Sequence, residues 1–224
     1  MFDEIEYDGV MSVALQGSLL DVVDDGAGDP PPALRSLTGV ERTPLRDGAW
    51  LDILPSWLTG ADLLFEHLAD HVPWRAERRP MYDRVVDVPR LLSFYDEGDP
   101  LPHPVLTQAR SALSDRYEGE LGEPFQTAGL CFYRDGRDSV AWHGDRIGRG
   151  NTEDTMVAII SIGAPRDLLL RPRGGGATQR HRLGHGDLLV MGGSCQRTWE
   201  HAVPKTAKPV GPRISIQFRP RGVR

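Results

Sequence analysis

The triplet His143-Gly144-Asp145 places an imidazole and a carboxylate two positions apart, and the same triplet returns as His185-Gly186-Asp187. Residues two apart in a β-strand point to the same side, so each pair could bind a metal ion together. An isolated His-x-Asp pattern is also common by chance, and a polar surface turn is the alternative interpretation of each copy. A third ligand is therefore needed before either triplet becomes a metal site.

His201, in the segment TWEHAVP, is the best candidate for the third ligand of the first triplet. It follows Asp145 by 56 residues. That separation leaves room for about four short strands, so the chain can cross a sandwich and return beside the first pair. Two imidazoles and one carboxylate on one side of the ion form the ligand set of non-haem Fe(II), with open positions for substrates. The spacing therefore favours an iron site made of His143, Asp145 and His201.

The second triplet has a structural explanation. Gly186-Asp187 precedes the apolar run LLVMGG, and glycine and aspartate are typical of the turn before a buried strand. This triplet also lies only one hairpin ahead of His201. We therefore predict that His185 and Asp187 shape a polar turn and bind no metal.

The segment RISIQFRP, close to the C-terminus, places polar side chains on one face of a predicted strand. Strand alternation puts Arg213, Ser215, Gln217 and Arg219 on one face, with apolar residues on the other. Arginine binds a carboxylate through two parallel hydrogen bonds, so this face suits a small dicarboxylate. A solvated edge strand is the alternative interpretation, and the neighbouring metal site favours binding.

The elements that must position these residues follow an α+β pattern. Two helices are predicted, LTGADLLFEHLADHV with Thr59 as its N-cap, and PHPVLTQARSALSDRYEGEL with Pro104 in its first turn. Short, turn-bounded strand candidates follow Phe125, which is typical of an antiparallel double sheet or barrel. These strand candidates are TAGLCFY, SVAWHGD, TMVAIISIG, DLLLRP, QRHRL, DLLVMGG, TWEHAVP and RISIQFRP.

Composition indicates a globular domain behind an acidic lead-in. Residues 1–30 hold eight carboxylates and no lysine or arginine, so a chain with net charge −6 carries +2 over residues 31–224. No stretch reaches the roughly 18 apolar residues of a membrane span, and we expect no membrane partner. The two cysteines, Cys131 and Cys195, cannot form a disulfide framework, which predicts a reducing, cytoplasmic compartment.

Several of these segments, in this order, resemble the AlkB-like family of Fe(II)/2-oxoglutarate-dependent dioxygenases. The resemblance extends from VPRLLSFYDEG to Pro220, and several spaced motifs in order are far more specific than any one of them. The matching segments are CFYRDGRDSVAWHGD, MVAIISIGAPRDLLLRP, LGHGDLLVMGG, WEHAVPK and PRISIQFRP. The family implies a double-stranded β-helix (jelly-roll) core with the N-terminal helices packed on one sheet.

The resemblance also implies the cofactors Fe(II), 2-oxoglutarate and O2. The iron ligands are then His143, Asp145 and His201. The residues expected to bind 2-oxoglutarate are Tyr133, Arg213, Ser215 and Arg219. Arg213, helped by Tyr133, is expected to pair with the distal carboxylate of 2-oxoglutarate, and Arg219 to lie near its metal-binding end. Cys131 stands where the family often has an asparagine, and Ser215 replaces another, although a serine hydroxyl can still form a hydrogen bond.

The implied activity is oxidative demethylation of N-alkylated bases, of the 1-methyladenine or 3-methylcytosine type, in DNA or RNA. The products are formaldehyde, succinate and CO2. Such bases must leave the stack, so the implied partner is single-stranded or flipped-base nucleic acid. The expected substrate-binding residues are Tyr82, Arg84, Tyr95 and Arg146.

Two basic stretches are expected to meet this nucleic acid, and ordinary solvated charge is the alternative for both. The first lies where the family has its nucleotide-recognition lid, and includes Trp74, Arg75, Arg78, Arg79, Tyr82, Arg84, Arg90 and Tyr95. The second surrounds the turn Gly174-Gly175-Gly176, with Arg166, Arg171, Arg173, Arg180 and Arg182. Repair members usually have an acidic residue just after the iron-binding triplet, where this chain has Arg146 and Ile147.

The predicted organisation is a mobile acidic lead-in over residues 1–32 and a single dioxygenase domain over residues 33–224. Within that domain, residues 45–122 would hold the helices and the nucleotide-recognition lid, and residues 123–220 the jelly-roll core. We expect a monomer. Two alternatives stay open: the same chemistry on a protein side chain or a small molecule, favoured by the altered position after the triplet, and a non-catalytic jelly-roll binding module.

Overall fold

The computed structural model of the protein describes residues 29–81 and 84–223. Residues 1–28 of the predicted acidic lead-in, and Tyr82, lie outside the described residues. The helices are α1 (Ala61–His71), α2 (Pro104–Leu121) and α3 (Cys195–Thr198). The strands, in chain order, are β1 (Ala33–Leu34), β2 (Glu41–Pro44), β3 (Ala49–Leu54), β4 (Leu58–Thr59), β5 (Arg75–Met81), β6 (Arg84–Tyr95), β7 (Thr127–Tyr133), β8 (Val140–His143), β9 (Val157–Gly163), β10 (Arg166–Pro172), β11 (Gln179–Leu183), β12 (Asp187–Gly193), β13 (Trp199–Val203) and β14 (Arg213–Arg219).

Most strands belong to two sheets. An eight-stranded sheet has the order β2-β3-β12-β9-β14-β7-β6-β5, and a four-stranded sheet has the order β11-β10-β13-β8. Every strand pairing in the described part of the chain is antiparallel. All eight strand candidates after Phe125 are confirmed, as β7 to β14. The structure is therefore mostly β-sheet with few helices.

The apolar side chains form two clusters, and β9 contributes to both because its residues alternate between the faces of the sheet. Ile160 belongs to a cluster that also contains Leu64 of α1 and Leu106 of α2. Ile159 belongs to the second cluster, which contains Leu168 and other residues of the four-stranded sheet. Burial of one such side chain contributes about 1.5–3 kcal/mol. The large sheet is thus buried on both faces along its centre.

The two predicted helices are confirmed, but the predicted N-cap of the first is wrong. Thr59 lies in β4 and its hydroxyl donates to the carbonyl of Ala33, 3.2 Å away. The N-cap is Gly60, at φ 61°, where a Cβ would lie 2.2 Å from the carbonyl oxygen of Pro30. Tertiary contact therefore overrides the local capping pattern. Among the described residues, no helix combines the length and the apolar character that a bilayer crossing requires.

The Arg-rich segment between α1 and α2 is a β-hairpin, which its irregular sequence did not predict. Strands β5 and β6 pair with each other and extend the large sheet beyond β7. The register shifts between Ala76 and Arg78, and Pro80 and Pro89 further interrupt a regular alternation. Such interruptions hide the period of two that identifies a strand in a sequence.

Candidate active site

A cavity of about 1500 Å³ is lined by both sheets and by the β5–β6 hairpin. Pockets for small ligands usually measure about 300–1,000 Å³. This cavity is larger, so it has room for a co-substrate together with part of a second molecule. Its lining includes His143, Asp145, His201, Tyr133, Arg213, Ser215 and Arg219. The structure therefore brings the predicted metal and 2-oxoglutarate residues to one cavity.

The three predicted metal ligands converge at the end of the four-stranded sheet. His143 is the last residue of β8, and it is the direct cross-strand partner of His201 on β13. Their ring centroids lie 4.2 Å apart, and Nε2 of His143 lies 3.6 Å from Oδ1 of Asp145. One ligand atom from each residue lies within 4.8 Å of the others. A single divalent ion could therefore contact all three side chains.

Both imidazoles have a nitrogen lone pair available for a metal. Nδ1 of His143 lies 2.9 Å from the carbonyl oxygen of Ala141. Because a carbonyl only accepts, Nδ1 is the protonated nitrogen and Nε2 keeps its lone pair. Burial, and secondarily the neighbouring His143, lowers the pKa of His201 to about 3. His201 is thus neutral at physiological pH, the state that binds metal.

Asp145 is ionised and held from two sides. Burial opposes its ionisation, but the charge and hydrogen bond of Arg219 together with the two neighbouring imidazoles outweigh that cost and keep the pKa of Asp145 well below its usual range. Nε of Arg219 donates to Oδ2 of Asp145 at 2.7 Å. The backbone N–H of Asp145 donates to the side-chain oxygen of Gln196 at 2.9 Å. A side chain at Gly144 would lie 2.4 Å from the carbonyl oxygen of Gln196, so the close approach requires glycine.

Arg213 lies at the opposite end of β14 from Arg219 and has a hydrogen-bond donor that no described residue uses. The side chain is buried and its Nε donates to the hydroxyl of Ser161 at 2.8 Å, while its Nη1 is buried with no hydrogen-bond partner. Burial lowers the pKa of Arg213, because removing a cation from water without a counter-ion is costly. A bound carboxylate would satisfy both the charge and the orphaned donor. Arg213 therefore fits the distal acid group of 2-oxoglutarate.

Tyr133 lies beside this guanidinium, with the Arg213 Cζ 5.2 Å from its ring centroid. Burial raises the pKa of Tyr133 to about 12, so its hydroxyl stays protonated and can donate to a ligand. The polar face of β14 then continues from Arg213 toward the metal end: the amide of Gln217 donates to Ser215 at 3.2 Å, and Arg219 donates to Gln217 at 2.8 Å. The alternation predicted for this strand is confirmed.

The predicted substrate-binding residues are not all placed at the cavity. Tyr95 is half-buried and lines it. Arg146 is exposed, bonds the side chain of Asn151 at 2.6 Å and 2.9 Å, and is not among the described residues that line the cavity. Arg84 lies in β6, although its side chain is not among those described, and Tyr82 lies outside the described residues.

Two members of the predicted basic stretches have structural roles instead. Arg166 is buried and donates to the carbonyls of Asp135, Asp138 and Pro204. Trp74 donates its indole N–H to the last turn of α1 and packs against the helix-side cluster. The expected contact of Arg166 with nucleic acid is therefore wrong, because its guanidinium is already used within the protein, whereas contact by the ring of Trp74 stays a prediction.

Sequence reasoning missed two residues of this site. Gln196 lies on α3, fully buried, and no motif singles out a glutamine in the segment SCQRT. Phe94 lines the cavity and is 42% exposed. An exposed aromatic side chain at a cavity wall is a surface on which a base could stack, and only the course of β6 shows where it lies.

The second His-Gly-Asp triplet forms a turn, as predicted. Both carboxylate oxygens of Asp187 accept backbone N–H groups, from Ser56 at 2.9 Å and Gly184 at 2.6 Å. Nδ1 of His185 accepts the backbone N–H of Gly163 at 2.8 Å. Gly186 has φ 82°, a conformation that favours glycine. The acceptor nitrogen of His185 and both carboxylate oxygens of Asp187 are thus engaged by the backbone.

Comparison with known proteins agrees with this geometry. The model of the 2OG-Fe(II) oxygenase superfamily matches residues 53–219. The human alpha-ketoglutarate-dependent dioxygenase alkB homolog 3 is 33% identical over 215 residues, which cover 84% of this chain and 70% of that protein. The DNA oxidative demethylase ALKBH2 of Arabidopsis thaliana is 30% identical over 195 residues, covering 69% of this chain and 60% of the relative.

Solved structures give a similar result at the level of the fold. The structure of OsALKBH1 superposes with a TM-score of 0.55 at 15% identity, over 80% of this chain and all (100%) of that one. An oxidoreductase of the 2OG-Fe(II) oxygenase family from Burkholderia pseudomallei gives a TM-score of 0.51 at 13% identity, over 75% and 84% of the two chains.

Proposed function

The chain belongs to the AlkB-like branch of the 2OG-Fe(II) oxygenase superfamily, and we propose that it oxidatively demethylates N-alkylated bases in DNA or RNA. Fe(II), 2-oxoglutarate and O2 are the cofactors of this family. The relatives named as alkB homolog 3 and as a DNA oxidative demethylase support the nucleic-acid substrate.

One observation supports the proposal most strongly: two imidazoles and an ionised carboxylate meet in a cavity that also holds a buried guanidinium with an unpaired N–H donor. His143, Asp145 and His201 would hold Fe(II). Arg213 would pair with the distal carboxylate of 2-oxoglutarate through its orphaned Nη1, with Tyr133 donating a hydrogen bond and Ser215 beside it. This arrangement would orient 2-oxoglutarate between the bound Fe(II) and the guanidinium of Arg213.

Fe(II) held by His143, Asp145 and His201 would supply the coupling of O2 reduction and decarboxylation of 2-oxoglutarate, which gives succinate and CO2, to hydroxylation of an N-methyl group, whose product would lose formaldehyde. The protein orients the reactants and excludes water. Arg219 supports this work because it holds the Asp145 carboxylate at 2.7 Å and so fixes one ligand. Val157, Ile159 and Leu168 are buried apolar residues of the cavity wall, and such residues exclude water from the reacting groups.

We assign the β5–β6 hairpin as the nucleotide-recognition lid, with Tyr95 and Phe94 as surfaces for base stacking. Its Arg75 lines the cavity and is exposed, where it can meet a phosphate. Tyr82 and Arg84 remain predicted contacts. Arg146 is not placed at the cavity, so its contact would be with the strand outside it.

The finer architecture is part of the same proposal. Two antiparallel sheets facing a shared apolar cluster support a jelly-roll core over residues 123–220, and the cluster shared by α1, α2 and the large sheet supports helices packed on one sheet. We further propose a single domain over residues 33–224 that acts as a cytoplasmic monomer.

The decisive experiment supplies the protein with Fe(II), 2-oxoglutarate and single-stranded oligonucleotides that contain 1-methyladenine or 3-methylcytosine. We expect formaldehyde and succinate in equal amounts, and the unmodified base by mass spectrometry. His201→Ala should abolish the reaction, whereas the matched His185→Ala should retain it. Succinate formation without loss of methyl groups from any alkylated nucleic acid would refute the substrate assignment.

A second candidate function is the same oxidation on a protein side chain or a small molecule. Arg146 and Ile147, the latter 68% exposed and lining the cavity, stand where repair members of the family usually have an acidic residue. Retention of single-stranded oligonucleotides in a gel, weakened by added salt, separates the candidates, because only a nucleic-acid enzyme should show it.

A further inference from the structure

The four-stranded sheet has an outer face with arginines that the proposed chemistry does not use. We call this group the arginine face. Its members are Arg146, Arg171, Arg173, Arg180 and Arg182. Arg146 follows β8, Arg171 lies on β10 and Arg173 follows it. Arg180 and Arg182 lie on β11. The arginine face therefore extends from the loop of the first triplet to the opposite edge of the sheet.

Strand alternation shows that the face points to solvent. In β10, Leu168 and Leu170 are buried in the cluster between the sheets. Asp167 and Arg171 alternate with them and therefore point outward. Arg182 is the cross-strand partner of Asp167 in β11, and cross-strand partners share a face. The arginines of β10 and β11 are thus on one exposed surface.

Near the metal end, one carboxylate is shared by two guanidiniums. Glu200 lies 2.9 Å from Arg171 and 3.3 Å from Arg173. The Arg171 Cζ also lies 4.2 Å from the ring centroid of Trp142, and Trp142 lines the active-site cavity. The arginine face is therefore continuous with the cavity.

At the sheet edge the same pattern is repeated. Asp167 lies 3.3 Å from Arg180 and 3.6 Å from Arg182. Their side chains are 71% and 66% exposed. Two cations that share one carboxylate keep a net positive charge and free N–H donors, and arginine presents those donors in a fork that matches phosphate.

Arg146 and Arg173 strengthen the positive charge beside the first triplet. Arg146 bonds the uncharged amide of Asn151 rather than a carboxylate. Burial, and then the charge of Arg146, lowers the pKa of Arg173. Nε of Arg173 is buried without a hydrogen-bond partner. Two guanidiniums held close enough to repel each other are stabilised when an anion binds between them.

We propose that the arginine face binds the phosphates of the nucleic-acid strand that flanks the reacting nucleotide. This inference rests on the proposed function and adds the path of the strand. Neighbouring strands lie about 4.8 Å apart, so the four-stranded sheet is about 14 Å wide, and a nucleic-acid strand that crosses it would pass more than one arginine. The strand would leave the cavity beside Trp142 and cross β13 and β10 to β11.

The test measures binding as a function of oligonucleotide length and salt. Fluorescence anisotropy compares the wild type with Arg180→Gln/Arg182→Gln on a methylated trinucleotide and on a single strand of about 16 nucleotides, a length within the known range of single-strand sites. On the long strand the double variant should bind more weakly, and the slope of log Kd against log salt should fall by about 1.4, or 0.7 per arginine. Binding and turnover of the trinucleotide should not change.

Two further variants make the test specific. Asp167→Asn removes the carboxylate that Arg180 and Arg182 share, so it should tighten binding of the long strand while leaving the trinucleotide unaffected. Arg35→Gln/Arg116→Gln removes two exposed arginines outside the arginine face and matches the first variant in net charge. It should leave both Kd values and the salt slope close to those of the wild type.

Several results would overturn the inference. If the double variant demethylates and binds the long strand like the wild type, the arginine face makes no phosphate contact, although the proposed function stands. Equal losses on both lengths would also overturn it, because Arg180 and Arg182 would then act on the reacting nucleotide or on the fold and not on the flanking strand. If the wild type neither binds nor demethylates nucleic acid, the proposed function fails together with this inference. Retention of polyglutamate but not of oligonucleotides would show that the face binds acidic polypeptides.

Discussion

The two His-Gly-Asp triplets have the same sequence and opposite surroundings. In His143-Gly144-Asp145 the carboxylate accepts from a guanidinium through one oxygen, and the other oxygen faces two imidazoles. In His185-Gly186-Asp187 both carboxylate oxygens accept backbone N–H groups, and the imidazole accepts a third. The first triplet keeps its lone pairs for a ligand, and the second uses them to close a turn.

The difference shows that a metal site is defined by what its ligand atoms are not bonded to. Backbone amides cannot release a carboxylate without losing hydrogen bonds that the fold needs. A guanidinium that bonds one oxygen orients the carboxylate and leaves the other free. His201 completes the first triplet through a direct cross-strand pairing, and no imidazole or cysteine among the described residues completes the second in this way.

The largest contrast is expected for the two aspartates in catalysis. Asp145→Ala removes an ionised metal ligand, and we expect turnover of 2-oxoglutarate to fall by more than the roughly 100-fold typical of residues that only support a ligand. Asp187→Ala should keep turnover within about twofold once differences in folded protein are corrected. Succinate release under saturating Fe(II) measures both. Equal losses would contradict the assignment of different roles.

For the free energy of unfolding we expect the opposite order, with the larger loss for Asp187→Ala. Asp187→Ala leaves the backbone N–H groups of Ser56 and Gly184 without their acceptors, and hydrogen bonds to charged groups contribute about 1.5–3 kcal/mol each when protected from water. Because Ser56 is exposed, we expect a loss of about 2 kcal/mol in the free energy of unfolding. Urea denaturation measures it, and Asp187→Asn, which keeps one acceptor, should lose less.

The next largest effect is expected for Gln196, beside the first triplet. Its side-chain oxygen fixes the backbone of Asp145, and residues that orient a ligand typically contribute 10–100-fold in metal affinity. Gln196→Ala should therefore weaken Fe(II) or Co(II) binding by about that factor in calorimetry. Gln196→Glu keeps the acceptor and should retain more of the affinity. Unchanged metal affinity in both variants would show that Arg219 alone positions Asp145.

The smallest expected effect is at His185. His185→Ala removes one hydrogen bond to the N–H of Gly163, so we expect a loss of about 1 kcal/mol in stability and no change in metal stoichiometry. Thermal denaturation and metal analysis of the purified variant measure these. A stoichiometry that falls in His185→Ala but not in His143→Ala would exchange the roles of the two triplets.

Most of the residues predicted for the metal and the co-substrate lie in strands, where a period of two decides which side chains share a face, and Asp145 lies just beyond the end of β8. His143 and Asp145 could be paired in this way, and so could Arg213 and Arg219. The separation between Asp145 and His201 was long enough to allow the chain to return, and pairing of β13 with β8 provides that return.

The remaining errors arise where contacts between distant segments decide the outcome. Thr59 has the composition of a helix cap, but the approach of Pro30 places Gly60 there instead. Arg166 belongs to a basic stretch in the sequence, but three carbonyls from two loops surround it. Gln196 acts through its backbone partner Asp145, and a hydrogen bond to a backbone N–H leaves no pattern in the sequence.

The cross-strand pairing of His143 with His201 also determines when the centre can exist during folding. The two residues belong to distant parts of the chain, and four strands lie between them in sequence, so β13 can lie beside β8 only after this long segment has closed. Closing such long loops is slow, because the entropy of the chain is lost before the contacts form. Metal acquisition should therefore follow sheet closure, and a growing chain on the ribosome would have no centre to fill until most of the protein had been synthesised.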